Sequence, residues 1–179
     1  MTRIIAGRWG GRRITTPPGD GTRPTSDRVR ESVFASLNSL LGGFDGLRVL
    51  DLFAGSGALG LECVSRGAAH ADLVESDARA ARTIQRNVTE LGASARVHRV
   101  TAQRYVAANS GPWDLVFLDP PYAVPTEEVA SIVAALRPSL AEDAVVVVER
   151  SSRDEFTWPE GFDALRDKSY GETRLWYGH

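Results

Sequence analysis

The chain has 179 residues, 42% hydrophobic and 25% charged, which suits one globular domain with a sizeable core. Its longest apolar run, Ala144–Val148, falls well short of the ~18 residues of a membrane span, and a lone Cys63 with the scattered His70, His98 and His179 offers neither a disulfide framework nor a metal-ligand cluster. The net charge of −2 conceals a basic start: residues 1–30 carry seven arginines against two aspartates, net +5, which leaves −7 for the rest and suggests an arm that meets a polyanion.

In chain order, Arg3–Trp9 and Arg12–Thr16 read as two short strands. Gly10-Gly11 between them predicts a type I′ hairpin turn, which needs positive φ at both positions. Residues 1–22 are thus expected to form a basic β-hairpin arm, and residues 23–179 the main domain. A Pro/Gly-rich loop follows at 17–21. A helix is predicted to start at Thr25 or Ser26 as cap, with Val29, Val33, Leu37, Leu40 and Leu41 on one face and Gly42-Gly43 as its stop.

From residue 47 strands and helices alternate. Strands are predicted at Leu47–Phe53, Ala71–Glu75, Arg96–Val100, Trp113–Asp119 and Ala144–Glu149. Helices are predicted from the glycine turn to about Arg66, from an Asp77 cap to Gly92, over Ala102–Ala108, and from a Thr126 cap through Leu136. Near-continuous apolar strands between helices imply a mostly parallel sheet covered on both faces. Phe162–Ser169 and Thr173–Tyr177 read as a closing antiparallel pair. The fold class is therefore α/β, Rossmann-like.

Two loops carry the chemistry. Asp51-Leu52-Phe53-Ala54-Gly55-Ser56-Gly57-Ala58-Leu59-Gly60 leads from the first core strand into a helix. In a doubly wound sheet, ligands bind at the carboxyl ends of the strands, and glycines there let a ligand approach the backbone. Ala54, Gly55, Ser56 and Gly57 are the candidate cofactor loop, although a G-x-G-x-x-G match alone also fits a purely structural turn. Glu75, followed by Ser76, ends the second strand, where a carboxylate can accept from both hydroxyls of a ribose. NAD and S-adenosylmethionine both present such a ribose. Asp51 favours the second, because a carboxylate before the glycine turn suits a cationic amino-acid end and sits badly beside a pyrophosphate. Its bland alternative is a cap on the turn backbone.

The second loop is Asp119-Pro120-Pro121-Tyr122, after the fourth strand. Two prolines stiffen the backbone and remove two N–H donors. The Asp119 carboxylate and the Pro120 carbonyl can then hold the two hydrogens of an NH₂ group. A base's amino lone pair is delocalised into its ring and is a poor nucleophile. Two acceptors favour pyramidalisation and aim that lone pair at a sulfonium methyl. Tyr122 offers a flat face for an extruded base. The bland alternative is a Pro-Pro turn with Tyr122 in the core.

The pairing of Asp51…Gly57 with Asp119-Pro120-Pro121-Tyr122 resembles the class I amino-methyltransferases, whose seven-stranded sheet has a reversed last strand. Arg3-Ile4-Ile5-Ala6-Gly7, Gly11-Arg12, Arg23-Pro24-Thr25-Ser26-Asp27-Arg28-Val29-Arg30-Glu31 and Tyr170-Gly171-Glu172-Thr173 resemble the RsmD family along essentially the whole chain. That resemblance implies S-adenosylmethionine as methyl donor, S-adenosylhomocysteine as product and no metal. It implies methylation of N2 of one guanine in 16S ribosomal RNA, within a 30S subunit or an assembly intermediate. It places Thr25 and Ser26 near the methionine end of the cofactor. One departure stands out: many relatives have an acidic or amide residue directly after the third strand, whereas here Val100-Thr101-Ala102-Gln103 leaves adenine to the Ala102 backbone and Gln103.

Arg3, Arg8, Arg12, Arg13, Arg23, Arg28 and Arg30 are the expected RNA contacts. A cytoplasmic protein is expected, since Met1–Ile5 is not an apolar signal segment, and neither a membrane nor an obligate protein partner is implied. Local chemistry does not separate guanine N2 from adenine N6. A DNA adenine methyltransferase would usually insert a target-recognition region between the two loops, and ordinary strands and helices fill that interval here. An NAD-binding oxidoreductase has no evident use for Asp119-Pro120-Pro121-Tyr122, and a non-catalytic RNA-binding module needs neither loop.

Overall fold

A computed structural model describes residues 1–18 and 26–179. In chain order the elements are β1 (Thr2–Arg3), β2 (Arg13–Ile14), α1 (Asp27–Leu41), β3 (Arg48–Asp51), α2 (Ala58–Ser65), β4 (His70–Val74), α3 (Ala78–Leu91), β5 (Ala95–His98), α4 (Ala102–Ala108), β6 (Trp113–Leu118), α5 (Thr126–Leu136), β7 (Leu140–Ser151), β8 (Ala164–Tyr170) and β9 (Thr173–Gly178). The main sheet runs β5-β4-β3-β6-β7-β9-β8. Strands β3 to β7 are parallel, and β9 runs antiparallel to both β7 and β8. This is the mostly parallel sheet with a closing antiparallel pair that the strand pattern predicts, and the seven-stranded sheet with a reversed last strand that the resemblance implies.

Alternation along the strands divides the core. Val49, Leu73, Phe117 and Val147 face one side, with Phe34 and Leu37 of α1, Leu61 of α2 and Ile84 of α3. Leu50, Val74, Val116 and Val146 face the other, with Tyr105 of α4 and Val129, Ile132 and Val133 of α5. From β3 the chain moves outward to β4 and β5, then returns to β6 on the other side of β3. The crevice above β3 and β6 is the switch point where such sheets bind ligands.

Helix starts follow local chemistry. Ser26 Oγ accepts the Val29 N–H at 3.2 Å, Asp77 accepts the Ala80 N–H at 2.9 Å and Thr101 accepts the Arg104 N–H at 3.3 Å. Thr126 departs from expectation: Pro125 is the N-cap, and Thr126 is the first helical residue. Glu127 and Glu128 in that first turn complement the helix dipole without a side-chain cap. Strand β7 is longer than predicted: Leu140 pairs with Trp113, and an irregularity over residues 141–144 carries the strand to the register Leu115↔Val145.

The N-terminal segment differs most. The paired strands are two residues each, Thr2↔Ile14 and Arg3↔Arg13, and Gly7–Trp9 forms a 3₁₀ turn. Gly10 has φ −50° and ψ 128°, Gly11 has φ +87°, and Arg12 N–H donates to the Trp9 carbonyl at 2.9 Å. That is a type II turn, with positive φ at the second glycine only. The cause is docking. Glu62 of α2, fully buried, accepts the Ile5 and Ala6 N–H groups at 2.8 and 3.0 Å. Ser65 Oγ donates to the Ala6 carbonyl at 2.6 Å and accepts the Trp9 N–H at 3.0 Å. At Gly7 (φ +81°) a Cβ would stand 2.0 Å from the Ser65 carbonyl oxygen, so only glycine lets the segment lie this close. Ile4, Trp9 and Ile14 are buried in the same core as α1 to α3, so the segment is built into the main domain.

Candidate active site

The carboxyl ends of β3, β4 and β6, the start of α1 and the β8–β9 turn enclose a cavity of about 650 Å³. Of the predicted site residues, Ser26, Gly55, Glu75, Ser76, Ala102, Gln103, Asp119, Pro120, Pro121 and Tyr122 line it. Asp51, Ala54, Ser56 and Gly57 do not, and Thr25 lies outside the described residues.

The glycine loop explains that division. Ala54 N–H donates to the Val74 carbonyl and Gly57 N–H to the Ala54 carbonyl, at 2.9 and 2.7 Å, which folds the chain tightly between β3 and α2. Gly55 has φ +59° and open space where a Cβ would project, so it presents bare backbone to the cavity. Gly57 faces the core instead, with Ile84 and Leu61 within 3.3 Å of a would-be Cβ. Ser56 is held from behind, its carbonyl accepting from the Asn87 side chain at 3.0 Å.

Glu75 closes the loop from the next strand. One of its oxygens accepts the Gly55 N–H at 3.0 Å and the other accepts the Asp77 N–H at 2.9 Å. Each oxygen has a further lone pair for a ligand hydroxyl. The same carboxylate therefore shapes the cavity and lines it.

Asp51 sits beneath the loop, 1% exposed, with the Phe53 and Gly60 backbone N–H groups near its carboxylate but no well-aligned hydrogen bond to either oxygen among the described residues. Burial pushes its pKa up to about 7; the Phe53 and Gly60 backbone N–H groups pull it back and the Glu75 charge adds to the rise. Between its ordinary value of 3.8 and about 7, the folded state holds a proton that the unfolded state has lost. The stability contributed by the protonated Asp51 is thus fully present below that window, falls as pH rises through it, and is level above. Asp51→Asn removes this loss. The expected result is that the variant's Tm minus the parent's rises between pH of about 4 and 7 and then flattens, as followed by thermal unfolding across pH.

On the facing wall, Asp119 is half-buried and Pro120 is buried. The Pro121 carbonyl accepts the Val124 N–H at 3.0 Å, and the buried Arg150 donates to the Val124 carbonyl at 2.7 Å, which ties the proline loop to β7. Tyr122 is 41% exposed, so it is not a core residue, and its hydroxyl lies 3.1 Å from Thr173 Oγ1 on β9. Tyr122→Phe keeps the ring and loses that tether, whereas Tyr122→Ala loses both. We expect Phe to retain turnover within several-fold and Ala to lose far more, compared by kcat. The Gln103 side-chain amide pairs with Glu128 of α5, which also lines the cavity.

Several lining residues were not predicted: Val29, Glu128, Glu149, Tyr170 and Thr173 among them. Glu149 had a signal. It is a carboxylate directly after the buried Val145–Val148 run, the pattern already noted at Glu75 and Asp119.

The arginines divide. Arg30 is buried, 2% exposed, donating to Asp27 at 2.8 Å and Thr2 at 3.0 Å and lying 3.9 Å from Glu62, so it is an internal ion-pair residue and not an RNA contact. Arg3 pairs with Asp27 at 2.6 Å, a hydrogen bond that holds the Asp27 carboxyl below the usual range. Arg8, Arg12, Arg13 and Arg28 are exposed; Arg8 lies over the Trp9 ring and Arg12 donates to the Glu90 carbonyl at 3.2 Å. Arg23 lies outside the described residues. None of the described six lines the cavity. Among the described residues no cluster of metal-ligating side chains occurs, and no helix is long and apolar enough to cross a membrane.

Comparisons agree with this architecture. The family model described as "Conserved hypothetical protein 95" matches residues 2–179. The chain is 38% identical over 172 residues to Ribosomal RNA small subunit methyltransferase D of Escherichia coli K12, covering 95% of this chain and 85% of that protein. The solved structure of Escherichia coli yhhF superposes with a TM-score of 0.84 at 37% identity, covering 98% of this chain and 96% of that one. A protein solved in complex with S-adenosylhomocysteine shares the fold at a TM-score of 0.66 and 12% identity, over 80% of this chain and 48% of that one. With matching length, fold and motifs, this chain belongs to the RsmD family.

Proposed function

We propose that this protein transfers a methyl group from S-adenosylmethionine to the exocyclic N2 amine of a guanine in 16S ribosomal RNA, within a small subunit or its assembly intermediate. The observation that carries this is the single cavity shared by Gly55 and Glu75 on one wall and Asp119, Pro120 and Tyr122 on the other. The substrate class is supported by the curated relative named for methylation of small-subunit ribosomal RNA.

The residues fit S-adenosylmethionine. Gly55 offers bare backbone, Glu75 has lone pairs for ribose hydroxyls, and Asp51 is a buried carboxylate whose oxygens make no well-aligned hydrogen bond among the described residues. Asp51 lies behind the cavity wall, so its pull on a cationic amino-acid end runs through the loop or through water. Ala102, at the start of α4, and Gln103 bound the cavity at the adenine end. The cofactor supplies an electrophilic methyl on sulfonium sulfur. Asp119 and the Pro120 carbonyl accept the two amine hydrogens, orient the nitrogen lone pair and stabilise positive charge as it develops on nitrogen. Asp119 holds that charge and need not remove a proton before attack; one N2 proton leaves to Asp119 or water once the N–C bond has formed, and the sulfur departs as the thioether S-adenosylhomocysteine. Tyr122 stacks on the extruded base. Transfer of labelled methyl to purified small subunits, with large subunits and duplex DNA in parallel, tests the reading. Label confined to 16S RNA is expected, and label in DNA alone would contradict it.

Exposed Arg8, Arg12 and Arg13 form the RNA-facing part of the N-terminal segment in this reading, because guanidinium groups pair with phosphate through two parallel hydrogen bonds. Removing residues 1–15 would strip Ile4, Trp9 and Ile14 from the core, so point substitutions are the cleaner test. Replacing the three arginines with Gln should leave Tm and cofactor affinity near the parent's. The slope of log K for RNA against log salt should become shallower by roughly 2, at about 0.7–0.9 per lost phosphate contact. An unchanged slope would assign the RNA surface elsewhere.

A further inference from the structure

We infer that Glu149 selects guanine by accepting its N1–H beside the amine that Asp119 holds. The inference rests on the reaction proposed above and assigns the base-reading residue of that site.

The placement comes from the sheet. Parallel strands β6 and β7 are in register at Leu118↔Val148, so the next residues, Asp119 and Glu149, emerge side by side at the carboxyl edge. Adjacent strands lie roughly 4.8 Å apart. Both residues line the main cavity, and both also line a small cavity beneath it that the buried Arg30 borders. Two neighbouring carboxylates repel. The Arg30 guanidinium, which pairs with Asp27 and lies 3.9 Å from Glu62, borders that same lower cavity and brings a positive charge to it.

The Watson–Crick edge of guanine offers N1–H and the N2 amine as adjacent donors. Two carboxylates side by side are complementary to that pair. Adenine presents an N1 acceptor next to its N6 amine. That acceptor facing Glu149 would place lone pair against carboxylate, an unpaired contact that disfavours binding. The Asp119 loop thus handles the amine in either base, and Glu149 supplies the choice between them.

The test compares guanosine with 2-aminopurine at the target position of 16S RNA, reconstituted into small subunits. Both bases carry the 2-amine, but 2-aminopurine has an acceptor at N1. The parent is expected to favour guanosine in kcat/KM by on the order of 10- to 100-fold. In Glu149→Gln, whose amide can donate to or accept from N1, the ratio should fall by at least about tenfold. The ratio between variant and parent cancels the intrinsic difference in reactivity of the two amines. Cofactor Kd and Tm near the parent's would show that the fold is kept. A parent active on guanosine, with an unchanged ratio in Glu149→Gln, overturns this assignment alone. A parent that methylates adenine N6 and leaves guanosine untouched overturns the proposed reaction and this assignment together.

Discussion

Asp119→Ala is expected to lower kcat by roughly 10²–10³-fold while the Kd for S-adenosylmethionine stays within about threefold. The asymmetry follows from the geometry. Asp119 stands at the end of β6 on the wall opposite Glu75, and its carboxylate meets the amine most strongly when charge develops in the transition state. Asp119→Asn keeps one acceptor oxygen and should fall between the parent and Ala. Single-turnover methyl transfer beside calorimetric titration with cofactor separates the two quantities. Near-parent turnover in Asp119→Ala would remove the amine-positioning mechanism.

Glu75→Ala should do the reverse, weakening S-adenosylmethionine by at least tenfold. Charge-assisted hydrogen bonds to two ribose hydroxyls are worth about 1.5–3 kcal/mol each. The loss has a second source, because the Gly55 and Asp77 N–H groups also lose their acceptor and the glycine loop loosens. Glu75→Gln separates the sources. It keeps one acceptor oxygen for a loop amide but turns a donor toward the other, so it should recover only part of the affinity. Unchanged affinity in Glu75→Ala, measured by calorimetry on a variant with parent-like Tm, would remove Glu75 from the cofactor site.

Both loops behind these predictions were legible because their constraints are local. A buried strand ending in Asp51 and a glycine turn, or in Asp119 and two prolines, leaves little conformational choice. What the sequence hid was set by tertiary contact. Arg30 reads as one more basic residue beside Arg28, yet its place on α1 turns it inward to Asp27 and Glu62. Gly10-Gly11 fits more than one turn type, and docking of Ile5–Trp9 on Glu62 and Ser65 decides among them. Ala54, Ser56 and Gly57 belong to the loop that frames the cavity, but only Gly55 opens onto it; Gly57, also at positive φ, is turned toward Ile84 and Leu61 in the core. Tyr170 and Thr173 reach the site because β9 inserts between β7 and β8, an ordering that no local pattern encodes.

The most direct measurement is the identity of the methylated nucleoside. Small subunits carrying unmodified 16S RNA would be incubated with the protein and labelled S-adenosylmethionine, and the RNA digested and resolved by mass spectrometry. Label recovered as N2-methylguanosine from one position in 16S RNA is the predicted result. Label recovered as N6-methyladenosine, or no transfer to 16S RNA by a protein that binds the cofactor, would contradict it.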